Sequence, residues 1–398
     1  MVSQAEGGGL LEKTEGITKK ASKSAAWIAY VIIIFEMIYM STPFAVFFYS
    51  VYEMPLGVLN RSSSTSWLVQ NVFPHFTQTD SLLISTLMYI SWPLMGIGFL
   101  LFVIGFGQIY WAKLRKKGAI LGGLYRIVRH PQYAALSIFG LGMALFWSRM
   151  IVILAYVSML FVYYFLSKAE ERECLRKYGE SYRTYLEKTG RFLPRLRPRK
   201  LHNPKNILPQ KGLKRIAALM VIYLVTIFCT IELGLWLRSY SLSKISVVFW
   251  KDSAAISTSF MSQAQMKEIL SIAMNDQNAR RSLSALVDSP GTKQLIYIVP
   301  SEWKISELAM EADRDGEHQH GFNPTTHMNP AQFNPNLYKV LISRAVVDDG
   351  AVGDEIISKA RAQKPLLLVK VDLLGKRVID IEKPPEQGKY ASIPVPLF

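Results

Sequence analysis

Residues 126–166 read RIVRHPQYAALSIFGLGMALFWSRMIVILAYVSMLFVYYFL: two arginines, a histidine and a proline, then two apolar runs separated only by Ser148 and Arg149. Each run, 133–147 and 150–166, is near or below the roughly 20 apolar residues that carry a helix across a bilayer. Two such runs joined so tightly predict a helical hairpin that crosses and returns. Pro131 suits the first position of its helix, because its φ is already helical and its missing N–H has no partner to lose there. His130 then falls at the cap. With Arg129 beside it, that helix start offers free N–H groups and positive charge, a place to hold a carboxylate or phosphate. The same residues also read as a helix stop followed by the positive charge usual at an inner membrane face.

Further apolar runs flank this one. Residues 25–48 form a candidate span interrupted by Glu36 and Pro43, and 216–237 a cleaner one with Glu232 near its end. Glu36 is costly in lipid, so it is expected to face other helices or a watery cavity. The run 82–111 is longer than a span requires and contains Pro93, which predicts a kink or a marked tilt. Gly98 and Gly105 share one face of it, where a neighbouring helix can approach closely. The expectation is an α-helical integral membrane protein with about five transmembrane helices. Loop charge sets its orientation. Residues 50–80 hold one lysine or arginine, Arg61, whereas 113–129 and 168–215 are crowded with both. The crowded face is the cytoplasmic one, and Lys13, Lys19, Lys20 and Lys23 put the N-terminus there too. This divides the chain into a cytoplasmic tail (1–24), a transmembrane domain (25–240) and an extracytoplasmic domain (241–398), periplasmic or luminal.

Composition agrees with a membrane protein: of 398 residues, half are hydrophobic. The net charge of +16 gathers beside the apolar runs rather than in a separate basic patch, which argues against nucleic acid as a partner. Two cysteines, Cys174 and Cys229, support neither a disulfide framework nor a thiolate metal centre. The tail changes character. Residues 262–287 read as helix, and 294–299, 337–347 and 365–381 as strands, which predicts a C-terminal soluble α/β or α+β domain. His318, His320 and His327 lie in its polar loop 313–335, too loose to form a metal site with no further ligand pattern beside them. No function is legible in this domain beyond binding an extracytoplasmic partner.

A second constellation follows the hairpin: KAEERECLRKYGESYRTYLEKTGRFLP, residues 168–194. Helical spacing puts Glu171, Leu175, Tyr178, Tyr182 and Tyr185 on one stripe, with Arg172, Arg176, Arg183 and Glu187 away from it. Gly179 in the middle marks either a close approach by another group or a break between two helices.

Taken together, Gly123-Leu124-Tyr125, Arg129-His130-Pro131-Gln132-Tyr133, the hairpin, Glu170-Glu171, Tyr178-Gly179, Tyr182, Tyr185 and Arg191-Phe192-Leu193-Pro194 resemble the isoprenylcysteine carboxyl methyltransferase and phospholipid methyltransferase superfamily. The resemblance spans 118–194, roughly a fifth of the chain. It departs at Ala134 and Ala135, where the family often has a glycine. It implies an integral membrane enzyme that uses S-adenosylmethionine to methylate a lipophilic acceptor, a prenylcysteine-like carboxylate or a lipid amine. Arg129 and Glu171 are then the expected catalytic pair. Tyr125, Arg129, His130, Tyr133, Glu170, Glu171, Tyr182 and Tyr185 are expected to hold the cofactor. Arg129 and His130 would take its carboxylate, and Glu170 or Glu171 its ammonium or ribose hydroxyls. The tyrosines would line the pocket, where an aromatic face suits a sulfonium. Two other readings compete. One is an NADPH-dependent membrane reductase of the sterol type, which has a similar R-H-P-like motif; the other is a non-catalytic membrane sensor or assembly protein.

Overall fold

The structure is a computed structural model that describes residues 38, 42–48, 53–74, 77–115, 122–195, 213–286, 291–303, 334–348 and 350–384. The N-terminal tail, most of the expected span 25–48 with Glu36, and the loop histidines 318, 320 and 327 lie outside them. Two short helices, α1 (Glu53–Asn60) and α2 (Ser63–Ser66), precede four longer ones: α3 (Leu82–Leu114), α4 (Pro131–Phe146), α5 (Met150–Lys188) and α6 (Leu213–Leu242). Among the described residues, α3, α5 and α6 contain stretches long and apolar enough to cross a membrane. Phe99, Leu100, Val225 and Phe228 are more than half-exposed on them, a surface that suits lipid rather than water. The 16 residues of α4 reach only about 24 Å, short of the roughly 30 Å hydrocarbon core.

Small residues let α4 lie against α3. A Cβ at Gly98 would enter the Phe139 backbone, and one at Gly142 would stand 2.7 Å from Ser91 O and 2.8 Å from Met95 N. Tyr133, Leu136, Met143, Val152, Met159 and Tyr163 fill the seam between α4 and α5, joined by Phe47 from the N-terminal side.

The hairpin's second arm differs from expectation. The run 150–166 continues without a break into the charged stripe as far as Gly179, where a kink separates it from a second helix that continues to Lys188; the two are labelled together as α5, and the glycine marks the break between helices that the sequence offered as one reading. Hydropathy changes at Lys168, but the backbone ladder does not. Only Gly179 departs from helical geometry, at φ 56° and ψ −130°, and no atom lies within 4 Å of where its Cβ would be. That glycine therefore supplies a conformation closed to other residues, not room for a neighbour.

The helices have two distinct ends. At one, Asn71 bridges to Arg149, Val72 N donates to Ser148 O (2.7 Å), and Arg238 donates to Asn71 O (2.7 Å). The C-terminal domain joins here. Thr79 Oγ1 donates to Lys244 O (2.9 Å), Gln78 N to Thr258 O (2.9 Å), Gln70 Nε2 to Ser358 O (2.7 Å) and Arg238 to Ser358 O (3.3 Å). Residues 122–130, which precede α4, occupy the other end together with the last turns of α5.

The C-terminal domain is one six-stranded sheet in sequential order: β1 (Val247–Phe249), β2 (Ser253–Ser257), β3 (Gln294–Pro300), β4 (Leu337–Val346), β5 (Ala362–Asp372) and β6 (Arg377–Glu382). Only β2 and β3 pair in parallel. A parallel pair needs a crossover, supplied by α7 (Gln263–Asn275) and α8 (Gln277–Leu286). The helical stretch expected over 262–287 is thus two helices, because Asp276 breaks it and caps the second, accepting from Asn278 N and Ala279 N at 2.9 Å. The strand expected over 365–381 is likewise two, folded at a turn that Lys376 enters with φ 49°. Met266, Ile269 and Leu270 cover one sheet face. Ile356 and Ile357 from α9 (Asp354–Lys359) cover the other, with Leu242 from the end of α6.

Candidate functional site

His130 caps α4 in a non-helical conformation and Pro131 takes the first helical position. The strand-like segment before the cap pairs with the one that follows α5: Val128 bridges to Gly190, Arg129 N donates to Gly190 O (2.8 Å) and His130 N to Arg191 O (3.1 Å). This pairing closes the hairpin at its base. It also brings residues 60 positions apart into one cluster.

Glu171, at 9% side-chain exposure, is its centre. It accepts from Arg129 Nε at 2.8 Å and from Arg191 through Nε at 3.0 Å and Nη2 at 2.5 Å. His130 Nε2 faces it at 3.4 Å. Arg129 also donates through Nη1 to Leu186 O (3.0 Å) and Thr189 O (2.5 Å), carbonyls left open by the end of α5. A cation there also suits the negative end of the helix dipole. Glu170 is different. Its side chain is 40% exposed; it accepts from the Tyr133 hydroxyl and faces His130 Nδ1 at 3.2 Å. His130 thus stands between two carboxylates. Burial disfavours its charged form, but hydrogen bonds and charge from Glu170 and Glu171 outweigh that and hold its pKa above the ordinary histidine value.

Aromatic rings enclose the cluster. His130 stacks on Tyr133 at 5.7 Å, Tyr133 on Tyr163 at 4.7 Å, and Phe192 closes the imidazole's other side at 6.1 Å. The Arg191 guanidinium and the Lys168 ammonium both lie over the Tyr164 ring, at 5.2 and 5.0 Å. Tyr185 donates to Tyr125 O (2.5 Å), which ties the 3-10 turn Gly123–Arg126 to α5, and Tyr182 is buried 5.5 Å from the Tyr185 ring.

The structure therefore brings Tyr125, Arg129, His130, Tyr133, Glu170, Glu171, Tyr182 and Tyr185 to one end of the helices. Within the cluster Arg129 and Glu171, expected at the reacting groups, are buried and engaged with each other. Glu170 is the more exposed of the two carboxylates, and His130, 8% exposed, is buried between them. The sequence motifs assign Arg191 no role. Its bidentate grip on Glu171 follows from the pairing of 190 with 128, which neither segment shows alone. Tyr125 Oη, Gln132 Nε2 and Tyr163 Oη are buried here without a hydrogen-bond partner among the described residues, and His130 Nε2 faces Glu171 Oε1 at 3.4 Å.

Residues 95–181 match the family model described as phospholipid methyltransferase. The family match is consistent with the superfamily that the sequence motifs resemble. It takes in α3 from Met95 onward, which those motifs do not reach, and ends before Tyr182, Tyr185 and Arg191. No curated protein and no solved structure matches the chain.

Proposed function

We propose that this protein transfers a methyl group from S-adenosylmethionine to a lipophilic acceptor in the bilayer, a lipid amine or a prenylcysteine-like carboxylate. One observation carries the reading: Arg129-His130, Glu170-Glu171 and Arg191, from three separate segments, meet in a single ionic cluster where apolar helices end. The residues suit the cofactor's chemistry. Glu170 is an accessible carboxylate for an ammonium or for ribose hydroxyls, and the unpartnered donors and first-turn N–H groups of α4 suit a carboxylate. When bound, the cofactor supplies a methyl group on a sulfonium.

The protein's part is alignment and exclusion of water. Arg129, Arg191 and Glu171 act as positioning residues: they lock the base of the hairpin and hold His130 facing Glu170. Tyr133, Tyr163 and Phe192 shield the imidazole. The acceptor enters sideways between helices, while the charged donor enters from the lysine- and arginine-rich face, which we assign to the cytoplasm.

The test uses purified protein in detergent or proteoliposomes. S-adenosylhomocysteine is expected to raise its melting temperature and NADPH to leave it unchanged, because a ligand of the native state stabilises by mass action. Labelled methyl groups should pass into membrane lipid extract or a prenylated peptide, and Glu170→Gln should reduce that transfer at least roughly tenfold. Stabilisation by NADPH alone would establish the reductase reading. Binding of neither, with no labelling, would leave a non-catalytic membrane protein.

A further inference from the structure

Where the C-terminal domain meets the helices, at the end away from the ionic cluster, lies a cavity of about 550 Å³. That falls within the roughly 300–1,000 Å³ of small-molecule sites. Trp67 and Gln70 line it from the helical side, and Asp348, Glu355, Lys359 and Arg361 from the sheet domain. Met150 N donates to Gln70 O (3.1 Å) and Ile151 N to Leu68 O (2.7 Å), so the helical wall stands level with the first turn of α5, where its apolar run begins. In a bilayer that is headgroup depth, a level at which tryptophan is favoured.

The charges on the sheet-domain wall are two bases and two acids. Lys359 Nζ meets Glu355 Oε1 at 2.7 Å, and Arg361 Nη2 meets Asp348 Oδ1 at 2.9 Å. Asp348 and Lys359 are more than half exposed, and ion pairs this open to solvent contribute little, so a ligand can part them at small cost. Arg361 is held in place by its main chain: its N–H donates to Val346 O (2.8 Å) and its carbonyl accepts from Asn60 Nδ2. Its Nε is buried and has no acceptor among the described residues, a costly condition for a guanidinium donor. A ligand of one sign would meet as much repulsion as attraction here. A ligand that carries both signs can exchange with both pairs, and an oxyanion on it supplies the acceptor that Nε lacks. Trp67 donates its indole N–H to Ser64 O (2.9 Å), and its ring offers an ammonium an aromatic face.

We propose that this cavity binds a zwitterion of phosphate and ammonium, the chemistry of a phosphoamine lipid headgroup. The phosphate sits on Arg361 and Lys359, and the ammonium toward Asp348, Glu355 and Trp67. The site lies at the opposite end of α5 from Glu170 and is independent of the methyl-transfer reading. Its occupant ties the sheet domain to the bilayer and undergoes no reaction there.

The test follows thermal unfolding of the full-length protein in detergent micelles that contain one of two lipids with the same acyl chains, zwitterionic phosphatidylethanolamine or anionic phosphatidylglycerol. The zwitterionic lipid should half-saturate the rise in melting temperature at a mole fraction at least roughly fivefold lower than the anionic one. Glycerophosphoethanolamine, which lacks acyl chains, separates two sources. A rise with it supports a site filled by the soluble phosphoamine as well, and a rise with the lipid alone supports one filled from the bilayer. Ser63 is exposed on the helical wall, so Ser63→Trp fills the cavity without removing a charge, while Arg361→Gln removes the phosphate's donor. Each should abolish the preference, and Glu170→Gln, at the other end of the helices, should keep it. Equal response of wild type to the two lipids, or none to either, would overturn the site. So would a preference that persists in Ser63→Trp, which decides the matter even if Arg361→Gln fails to fold. A preference lost in Glu170→Gln and kept in the two cavity variants would overturn it too, since the lipid would then sit at the ionic cluster.

Discussion

Glu171 shows how much depends on one buried carboxylate. Two guanidinium groups converge on it, from segments that α5 keeps apart in sequence, and Arg129 carries the connection on to the carbonyls of Leu186 and Thr189. Removing one partner of such a group leaves the others as uncompensated buried charges, at a cost of about 3–5 kcal/mol. Glu171→Gln should therefore lower the thermal stability of the ligand-free protein sharply. Glu170→Gln, on a 40% exposed side chain, should barely change it. Differential scanning fluorimetry distinguishes the two, and equal melting of both variants would remove Glu171 from its central place. His130 makes a pH-dependent contribution. Its folded pKa is raised, so the stabilisation is complete below the ordinary histidine value of about 6.5 and is lost as pH rises through the folded value. Wild type should accordingly lose stability relative to His130→Gln between slightly acidic and alkaline pH. A difference between the two that stays constant across that range would show that the imidazole does not titrate with folding.

Among the elements, α5 is the least obvious from hydropathy. The apolar run ends at Leu166 and hydropathy falls there, whereas the helix continues through the charged residues to Gly179 and a second helix runs on beyond the kink to Lys188. Arg129-His130 was legible because it is local and polar beside an apolar run, and Glu170-Glu171 through the family resemblance, with Glu171 alone marked by helical spacing. The role of Arg191 was not, since it depends on the chain turning back after α5 to pair with Val128. Gly179 is where that helix changes course. Any L-residue at its positive φ is strained by about 1–3 kcal/mol, with no steric neighbour to complicate the reading. Gly179→Ala should raise hydrogen exchange across 180–188 and leave 150–166 protected. Exchange unchanged in both segments would mean the break tolerates a side chain. Gly98→Leu tests the opposite kind of glycine: it would drive α3 from the Phe139 backbone and lower stability by a steric route.

Over the whole molecule, the division into apolar helices and a mixed sheet was legible from composition, because the two parts obey different periodicities. Their attachment was not. It rests on donors of the segment between α2 and α3, Gln70 Nε2, Gln78 N and Thr79 Oγ1, that reach the main-chain carbonyls of Ser358, Thr258 and Lys244, groups that no sequence pattern marks. Arg238 is the clearest case: buried, it donates to Asn71 O within the helical part and to Ser358 O in α9. Arg238→Met keeps the bulk of the stem and removes these donors. It should increase exchange around residues 354–359 while leaving β3 and β4 protected, as seen by mass spectrometry. Unchanged exchange around 354–359 would show that the sheet is held by its other contacts alone.

The opposite placement of sheet and ionic cluster has a practical side. With α6 reaching about 45 Å between them, an antibody fragment clamped on the sheet stands well clear of the hairpin base. Such a fragment would add rigid mass for single-particle imaging while substrates come and go freely beneath.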